Sequence, residues 1–261
     1  IDSSEIIFTS KGDPINYSHY GFRVNQEDSP IDFSQDDLTG IIISGETFRN
    51  LSINEKDFSG SVFRNTIFED VDITNSQFLG VQFYNVTFKN SNAINSDFSG
   101  SNLDNFDFIG GSLQNSKFKN ANGDNVSFKK SSLDNTDFSH FTMESFVFDN
   151  VDLRTSNLDH SSMEQSKFIN SNLNELYIND SKLRQISFEN SDIETLKIDN
   201  SLLRHITFDE NSKLPDDLRY QMSLISFIEP IENLVDYLDR IYQNQITERF
   251  GFVDNPDTKF L

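Results

Sequence analysis

The sequence contains no cysteine, which excludes disulfides, thiolate nucleophiles and cysteine metal sites. Basic side chains are scarce as well: 21 Lys and Arg stand against 42 Asp and Glu, for a formal net charge of −21. This deficit argues against binding to nucleic acid or to an anionic membrane, because both require Lys and Arg to neutralise phosphate. The charge fits a basic protein partner or simple solubility.

Long hydrophobic runs and catalytic motifs are also missing. No stretch of 18 or more apolar residues occurs, so we predict no membrane span. There is no nucleophile elbow, phosphate loop or calcium loop, and the carboxylates are spread along the chain. His140 and His160 are separated by a multiple of five positions, but two ligands are fewer than a zinc site uses. The sequence therefore predicts no enzyme, no cofactor and no metal site.

The chain does have a repeat with a period of five. A large apolar residue occupies every fifth position from Phe33 to Phe208, and among these 36 positions only Ala93 and Gly123 are small. Neither a helix nor a flat strand places its side chains on one face with this period. A fixed repeat held this long indicates a solenoid whose coils bury their core by stacking. Seventeen of the central residues are Phe and nine are Leu, so we expect a filled interior without a catalytic cleft.

The positions around each central residue follow their own rule. A small residue such as Ser101 or Ser131 stands two positions before the centre, and Asn or Gly recurs two positions after it. Asn and Gly tolerate the backbone angles of turns. The repeat is therefore interpreted as small–polar–apolar–polar–turn, with two inward side chains in every pentapeptide.

Residues 101–105 (Ser-Asn-Leu-Asp-Asn) and 131–135 (Ser-Ser-Leu-Asp-Asn) resemble the pentapeptide-repeat family, whose consensus is Ala-Asp/Asn-Leu-x-x. The resemblance implies an all-β solenoid, a right-handed quadrilateral β-helix with four pentapeptides per coil. About nine coils are then expected, in a rod about 43 Å long at the usual strand spacing. This chain differs by using Ser in place of Ala and Phe more than Leu, which predicts a thicker core of the same fold.

Three segments are predicted. Residues 1–30 lack the repeat and are interpreted as an N-terminal cap, residues 31–210 form the β-helix, and residues 211–261 have apolar residues at helical spacing. The helical segment is either a cap over Ile206 and Phe208 of the last coil or a dimerisation or interdomain element. Its candidate capping or interface residues are Ile231, Leu234, Val235, Leu238 and Tyr242.

Residues four pentapeptides apart should stack in one column if four repeats make a coil. One such column contains Asp104, Asp124, Glu144 and Glu164, which we call the acidic stripe, followed by Arg184 and Arg204. Like charges on neighbouring strands cost stability, so the acidic stripe is the candidate protein-binding surface. The alternative is an ordinary solvated face of an acidic protein. A local basic cluster should interrupt the negative charge, formed by Lys117, Lys119, Lys129 and Lys130.

Gly123 is the interior position without a side chain, and its column neighbours should be Leu103 and Met143. We expect local slack that the flexible Met143 fills, with a small apolar pocket as the alternative.

The family resemblance implies two kinds of function. The first is a non-catalytic protein-binding scaffold of secreted bacterial effectors, which stands alone or precedes a HECT-like ubiquitin-ligase domain. The second is an acidic DNA mimic that binds gyrase or topoisomerase, as in quinolone-resistance proteins, and that dimerises through its C-terminal helix. The first implies secretion into a host cell and the second a bacterial cytoplasmic protein. This chain lacks the projecting loops of the DNA mimics, so we favour the scaffold.

Overall fold

The computed structural model describes residues 7–8, 14–15, 23–24 and 33–213, all in strands, turns and their connecting segments. The described part is an all-β parallel solenoid without an α-helix. It also contains no helix of membrane-spanning length and hydrophobicity. Most of the predicted N-terminal cap and nearly all of the predicted helical segment, including Ile231, Leu234, Val235, Leu238 and Tyr242, lie outside the described residues.

Nineteen short strands are described. The first half of the chain contains β1 (Ile7–Phe8), β2 (Pro14–Ile15), β3 (Arg23–Val24), β4 (Ile41–Ser44), β5 (Thr47–Arg49), β6 (Val62–Glu69), β7 (Gln82–Asn92), β8 (Asn102–Ser112) and β9 (Asn122–Lys129). The second half contains β10 (Thr142–Glu144), β11 (Val147–Asp149), β12 (Ser162–Glu164), β13 (Lys167–Ile169), β14 (Tyr177–Asn179), β15 (Lys182–Arg184), β16 (Ser187–Glu189), β17 (Lys197–Asp199), β18 (Leu202–Arg204) and β19 (Thr207–Phe208). β1 and β2 pair antiparallel, and β3 pairs in parallel with β4.

Within the repeat region, each strand pairs in parallel with the equivalent strand four pentapeptides further on. Phe63 pairs with Phe83 and Phe83 with Leu103, and the other ladders keep the same offset. Four parallel ladders therefore run along the rod, one for each pentapeptide of a turn, and they define four faces. Their interior residues run at this interval from Ile43 to Leu203 on face 1, from Phe48 to Phe208 on face 2, from Phe33 to Ile193 on face 3 and from Leu38 to Ile198 on face 4.

The solenoid has about eight turns, so the prediction of nine is corrected. From Phe33 to Phe208 the register advances through eight complete turns, and the ninth remains incomplete. The last strand pairing on face 3, which we call its last rung, contains one extra residue. The regular offset would pair Asp192 with Ser212, but Asp192 pairs with Lys213.

The corners show why Asn and Gly recur. Every fifth residue from Gly40 to His205 has a positive φ, except Thr155 and Thr195. This left-handed conformation turns the chain from one face to the next, and Gly and Asn adopt it at the least cost. Branching at Cβ disfavours the same conformation, which accounts for the two threonine exceptions.

The interior is filled as the repeat predicts. Of the 36 central residues, all but Phe33, Phe48, Gly123 and Phe208 are buried. Phe33 and Phe48 belong to the first turn and Phe208 to the last, where a neighbouring turn is present on one side only. Each buried Phe or Leu contributes about 2 kcal/mol, so the stacked interior is the main stabilising term.

Phenylalanine rings stack along the rod axis on two faces. All nine central residues of face 2 are Phe, and their stacked pairs have centroid separations of 4.5 to 5.8 Å. On face 4 the rings from Phe58 to Phe138 stack at 4.7 to 5.3 Å. Offset-stacked aromatic pairs add about 0.5–1.5 kcal/mol beyond their buried area. The thicker core expected from the Phe content is thus packed ring on ring.

Serine hydroxyls join consecutive turns inside the rod, which explains why Ser replaces the Ala of the consensus. The Ser96 hydroxyl donates to the Ile73 carbonyl at 2.8 Å and accepts from the Ser76 amide of the preceding turn at 3.2 Å. Ser181 makes the same two contacts, with the Leu158 carbonyl and the Ser161 amide. A buried hydroxyl is tolerated when it is hydrogen-bonded, so these positions accept Ser without loss of stability.

Replacing Ser96 with alanine should lower the free energy of unfolding by about 1 kcal/mol, because it removes these two hydrogen bonds. Ser116 is the matched control: it is equally buried, and its hydroxyl has no hydrogen-bond partner among the described residues. Ser116→Ala should therefore be neutral or slightly stabilising. Urea unfolding of the two variants tests the difference, and equal costs would contradict the role given to the hydroxyl.

Gly123 shows where the sequence-based expectation is wrong. A Cβ at Gly123 would lie 2.6 Å from Cζ of Phe146, so the Phe146 ring occupies the space, and neither slack filled by Met143 nor an apolar pocket is present there. Phe146 stands at the small position of a face-2 repeat, where Val126 precedes it and Ser166 follows in the same column. A large residue at a small position therefore compensates for the missing side chain on the neighbouring face.

Candidate functional site

The fold places the four residues of the acidic stripe in one column on face 1. Asp104 on β8 pairs with Asp124 on β9, Asp124 pairs with Glu144 on β10, and Glu144 pairs with Glu164 on β12. Adjacent parallel strands lie about 4.8 Å apart, so four carboxylates stand within about 14 Å along the rod. The predicted stacking of the stripe is confirmed, whereas its role in binding stays a prediction.

The two ends of the column carry positive charge. At one end, the guanidinium of Arg64 lies 4.7 Å from the ring centroid of Tyr84, which pairs with Asp104. At the other end, Arg184 Nη1 lies 3.2 Å from Glu164 Oε1, and Arg204 follows on the next strand. The acidic stripe is therefore bounded at both ends by basic side chains.

The stripe divides into one paired and three unpaired carboxylates. Glu164 forms the ion pair with Arg184, whereas Asp104, Asp124 and Glu144 form no ion pair with another described residue. Asp104 accepts a hydrogen bond at 2.7 Å from the side-chain amide of its neighbour Asn105. The negative charge that is free to attract a partner is thus concentrated on three successive rungs.

Charges on face 2 are arranged differently. Glu69 lies between Arg49 and Lys89, with separations of 2.9 Å to Arg49 Nε and 2.5 Å to Lys89 Nζ. The hydrogen bond from Lys89, and then the one from Arg49, hold the pKa of Glu69 below its usual range. The charges of Arg49, Glu69 and Lys89 alternate in sign and form ion pairs, whereas the acidic stripe leaves three like charges side by side.

The four lysines that were predicted to form a basic cluster lie apart. Lys117 and Lys119 are on face 4, where Lys117 Nζ lies 3.6 Å from Asp97 Oδ2. Lys129 belongs to face 2 and Lys130 to the corner that follows it. Faces 2 and 4 lie on opposite sides of a four-faced rod, so the predicted cluster is wrong.

The rings of His140 and His160 stack, with their centroids 4.8 Å apart. His160 Nε2 also lies 3.6 Å from Asp180 Oδ2. Across the described ranges, no group of three or more His, Asp or Glu side chains could hold a metal ion.

A shallow polar groove of about 420 Å³ lies at the corner between faces 2 and 3, near the last turns. Its side chains include Asn150, Asn170, Asn190, Asp152, Asp192 and Lys213. Lys213 Nζ and Asp192 Oδ2 already pair at 2.6 Å, and Asn190 donates to Asn170 at 2.7 Å. The polar side chains that line the groove therefore bind one another. None of them forms a nucleophile with an adjacent base.

Sequence reasoning found the stripe and the arginines after it but missed its N-terminal boundary. Arg64 and Tyr84 occupy the same column two turns and one turn before Asp104, so the register alone would have located them. The pairing of Arg64 with the Tyr84 ring depends on side-chain conformations, which the register does not specify.

Comparisons with known proteins agree with this geometry. A profile described as the pentapeptide repeat region matches residues 61–138, and one described as pentapeptide repeats in eight copies matches residues 147–185. No curated protein sequence matches the chain.

Solved structures similar to this chain include three pentapeptide-repeat proteins. One is QnrB1, a plasmid-mediated fluoroquinolone resistance protein, at 14% identity over 74% of this chain and 90% of its own, with a TM-score of 0.39. HetL, involved in heterocyst differentiation in the cyanobacterium Nostoc sp. strain PCC 7120, has 14% identity over 70% of this chain and 87% of its own, with a TM-score of 0.30. Rfr23 from the cyanobacterium Cyanothece 51142 has 12% identity over 69% and 91%, with a TM-score of 0.21.

The two profile matches fall within the parallel ladders of the solenoid; they leave out a short stretch between residues 138 and 147 and the turns before residue 61 and after residue 185. The repeat region of this chain is therefore a member of the pentapeptide-repeat family.

Proposed function

We propose that this solenoid is a non-catalytic binding module that presents the acidic stripe to a basic surface of a protein partner. The observation that carries the proposal is the run of three carboxylates without ion pairs, Asp104, Asp124 and Glu144, on successive strands. Like charges on neighbouring strands destabilise a sheet, and a neutral residue would avoid that cost. A cationic partner would relieve the repulsion on binding.

The surroundings of the stripe support a flat protein contact. A second column of face 1 runs beside the acidic stripe, formed by the residues that stand one position before each central residue. It carries small polar side chains, at Asn102, Asn122, Thr142 and Ser162. The carboxylates are therefore the dominant charged groups on this part of the face. The strands beneath them are anchored by a filled interior, so little ordering entropy is lost on binding.

The pentapeptide-repeat fold is consistent with a non-catalytic protein-binding scaffold. We propose further that the chain acts as such a scaffold within a bacterial effector, as the family resemblance suggested. In that setting the rod supplies recognition, and any catalytic step would belong to another domain.

A second candidate, the DNA mimic, is favoured by the same stripe, since a row of negative charge can imitate a phosphate backbone. The ion pair between Glu164 and Arg184 shortens the row of free carboxylates to three. A DNA supercoiling assay with gyrase separates the two candidates. Absence of inhibition at micromolar protein and low salt would eliminate the mimic, whereas inhibition that disappears with the stripe would overturn the scaffold.

Charge reversal of the stripe should abolish most of the binding to a basic partner. With Asp104→Lys and Asp124→Lys combined, the Kd should rise at least about tenfold, and the salt dependence of binding should flatten. The matched control combines Glu55→Lys with Glu194→Lys, which give the same change in net charge; Glu55 is an exposed corner residue between faces 3 and 4, and Glu194 is an exposed residue of face 3.

The measurement starts with a partner captured at low salt, after which titration calorimetry compares the purified wild type and both variants. The control should bind within about twofold of wild type. Equal affinities for all three proteins, or an equal loss in both variants, would show that the stripe is not the binding surface.

A further inference from the structure

Arg64 is a cation without an ion pair at the N-terminal end of the acidic stripe. Its guanidinium lies 4.7 Å from the ring centroid of Tyr84, and its Nε is buried without a hydrogen-bond partner. The Tyr84 hydroxyl donates to Gln82 Oε1 at 3.4 Å. Arg64 forms no ion pair with a described residue, although the chain has twice as many acidic as basic side chains. The guanidinium is therefore held against an aromatic ring, with its remaining donors available to an anion.

Face 1 thus has a fixed order of charge along one outer column. Arg64 stands opposite Tyr84 and Tyr84 opposite Asp104, and the carboxylates without an ion pair continue on the next two rungs. At about 4.8 Å per rung, the first of these carboxylates lies about 10 Å beyond the strand of Arg64 and the last about 19 Å beyond it. A column with one cation followed by three anions is complementary to a partner whose charges run in the opposite signs.

The spacing of these charges favours one secondary structure in the partner. In a helix lying along the rod, residues i, i+3 and i+7 stand at about 0, 4.5 and 10.5 Å, close to the carboxylate rungs at about 0, 4.8 and 9.6 Å. Residues i, i+2 and i+4 of an extended strand would stand at about 0, 6.8 and 13.6 Å, so the third would lie about 4 Å past its rung. Residue i−7 of the same helix face stands about 10.5 Å in the other direction, at the rung of Arg64.

We propose that the partner contacts face 1 with a bipolar α-helix that lies parallel to the rod axis. Lys or Arg at i, i+3 and i+7 would face Asp104, Asp124 and Glu144. Glu or Asp at i−7 would face Arg64, whose guanidinium can donate two hydrogen bonds to one carboxylate and so fix the register of the helix. The helix uses the same three carboxylates as the proposed function, so its binding rests on that function.

Synthetic peptides provide defined probes of this register. The first peptide is an alanine-based helix with Lys at i, i+3 and i+7 and Glu at i−7. The second has the same composition with Glu moved to i−5, on the other side of the helix. The third carries its Lys residues at every second position among Thr and Val, which favour an extended strand. At low salt, fluorescence anisotropy with the full chain should give the first peptide a Kd at least about threefold lower than the second or the third.

Exchanging the charges across the contact separates a specific register from general attraction. Arg64→Glu should raise the Kd of the first peptide at least about threefold, and replacing the Glu at i−7 with Lys should restore binding more than Lys at i−5 does. Arg154→Glu is the matched control, because it makes the same change in net charge at an exposed residue of face 3, on the opposite side of the rod. This control should bind the first peptide within about twofold of wild type.

The outcomes distinguish the helix from the stripe itself. If the first peptide binds no better than the second or the third, while the Asp104→Lys, Asp124→Lys variant loses binding, the bipolar helix is overturned and the stripe remains the binding surface. If no peptide binds at low salt, or if that variant binds them all as wild type does, the proposed function is overturned and the helix with it. Preference for the first peptide, lost in Arg64→Glu and kept in Arg154→Glu, would support the helix.

Discussion

Replacing Phe108 with aspartate is expected to prevent folding of the solenoid. Phe108 is fully buried in the middle of the rod and stacks on Phe88, with ring centroids 5.8 Å apart. A carboxylate there would be buried without a partner, at a cost comparable with the roughly 5–15 kcal/mol that typically separates folded from unfolded domains. Because each turn is stabilised by its neighbours, loss of a central turn removes the stacking on both of its sides.

The neighbouring residue provides a matched control for this substitution. Ile109 points outward on the same strand, between Lys89 and Lys129 on the adjacent strands. Ile109→Asp introduces the same carboxylate one residue away, next to two ammonium groups, and should leave the protein folded. Circular dichroism and gel filtration of both variants give the answer. A soluble, cooperatively folded Phe108→Asp protein would contradict the placement of the central side chains of face 2 in the interior.

Gly123 and Phe146 should behave as a coupled pair. Gly123→Leu restores the repeat consensus, yet it should destabilise the protein by about 1–3 kcal/mol or more, because its Cβ would lie 2.6 Å from the Phe146 ring. Phe146→Val alone should cost about 3 kcal/mol by leaving a cavity beside the glycine. The double variant should be more stable than the sum of the two losses predicts, since the leucine fills the space that the ring vacates.

A double-mutant cycle by urea unfolding measures this coupling. We expect an interaction energy of about 1–3 kcal/mol for Gly123→Leu with Phe146→Val. Gly123→Leu combined with Phe58→Val, three turns away on face 4, should show additive effects within about 0.5 kcal/mol. Additivity in both pairs would contradict the account of Phe146 as the residue that fills the glycine site.

The sequence was sufficient for the fold because one register determines most of it. A period of five fixes which side chains point inward, and the resemblance to a four-repeat coil adds the stacking that places Asp104 beside Asp124. The corner conformation followed from the chemistry of Asn and Gly, and positive φ angles recur where these residues do. These features depend on local geometry that repeats, so a single pattern predicts them all.

Features that depend on contacts between different faces could not be predicted in this way. The ring that fills the space at Gly123 comes from Phe146, which belongs to another face and to the next turn. The four lysines look like a cluster in the sequence, but the coil carries them to separate faces. The number of turns also depended on where the regular register ends, and the ninth turn remains incomplete at Phe208.

The candidate site also combines a feature that the register predicts with one that depends on side-chain contacts. The column order of the acidic stripe followed from the register, whereas the ion pair that neutralises Glu164 required side-chain positions. The row of carboxylates without an ion pair is consequently three residues long and not four. Asp104, Asp124 and Glu144 are therefore the residues on which the proposed binding depends most.

The register itself is the claim on which the stripe and the filled interior both depend, and one distance tests it most directly. Ser44 and Arg204 stand in the same column of face 1, eight rungs apart. Because the chain has no cysteine, Ser44→Cys and Arg204→Cys can be spin-labelled selectively and their separation measured by pulsed electron paramagnetic resonance. Eight strand spacings predict a single narrow distribution centred near about 38 Å. A broad distribution, or a centre displaced by about two spacings or more, would contradict the four-pentapeptide turn and the column of carboxylates built on it.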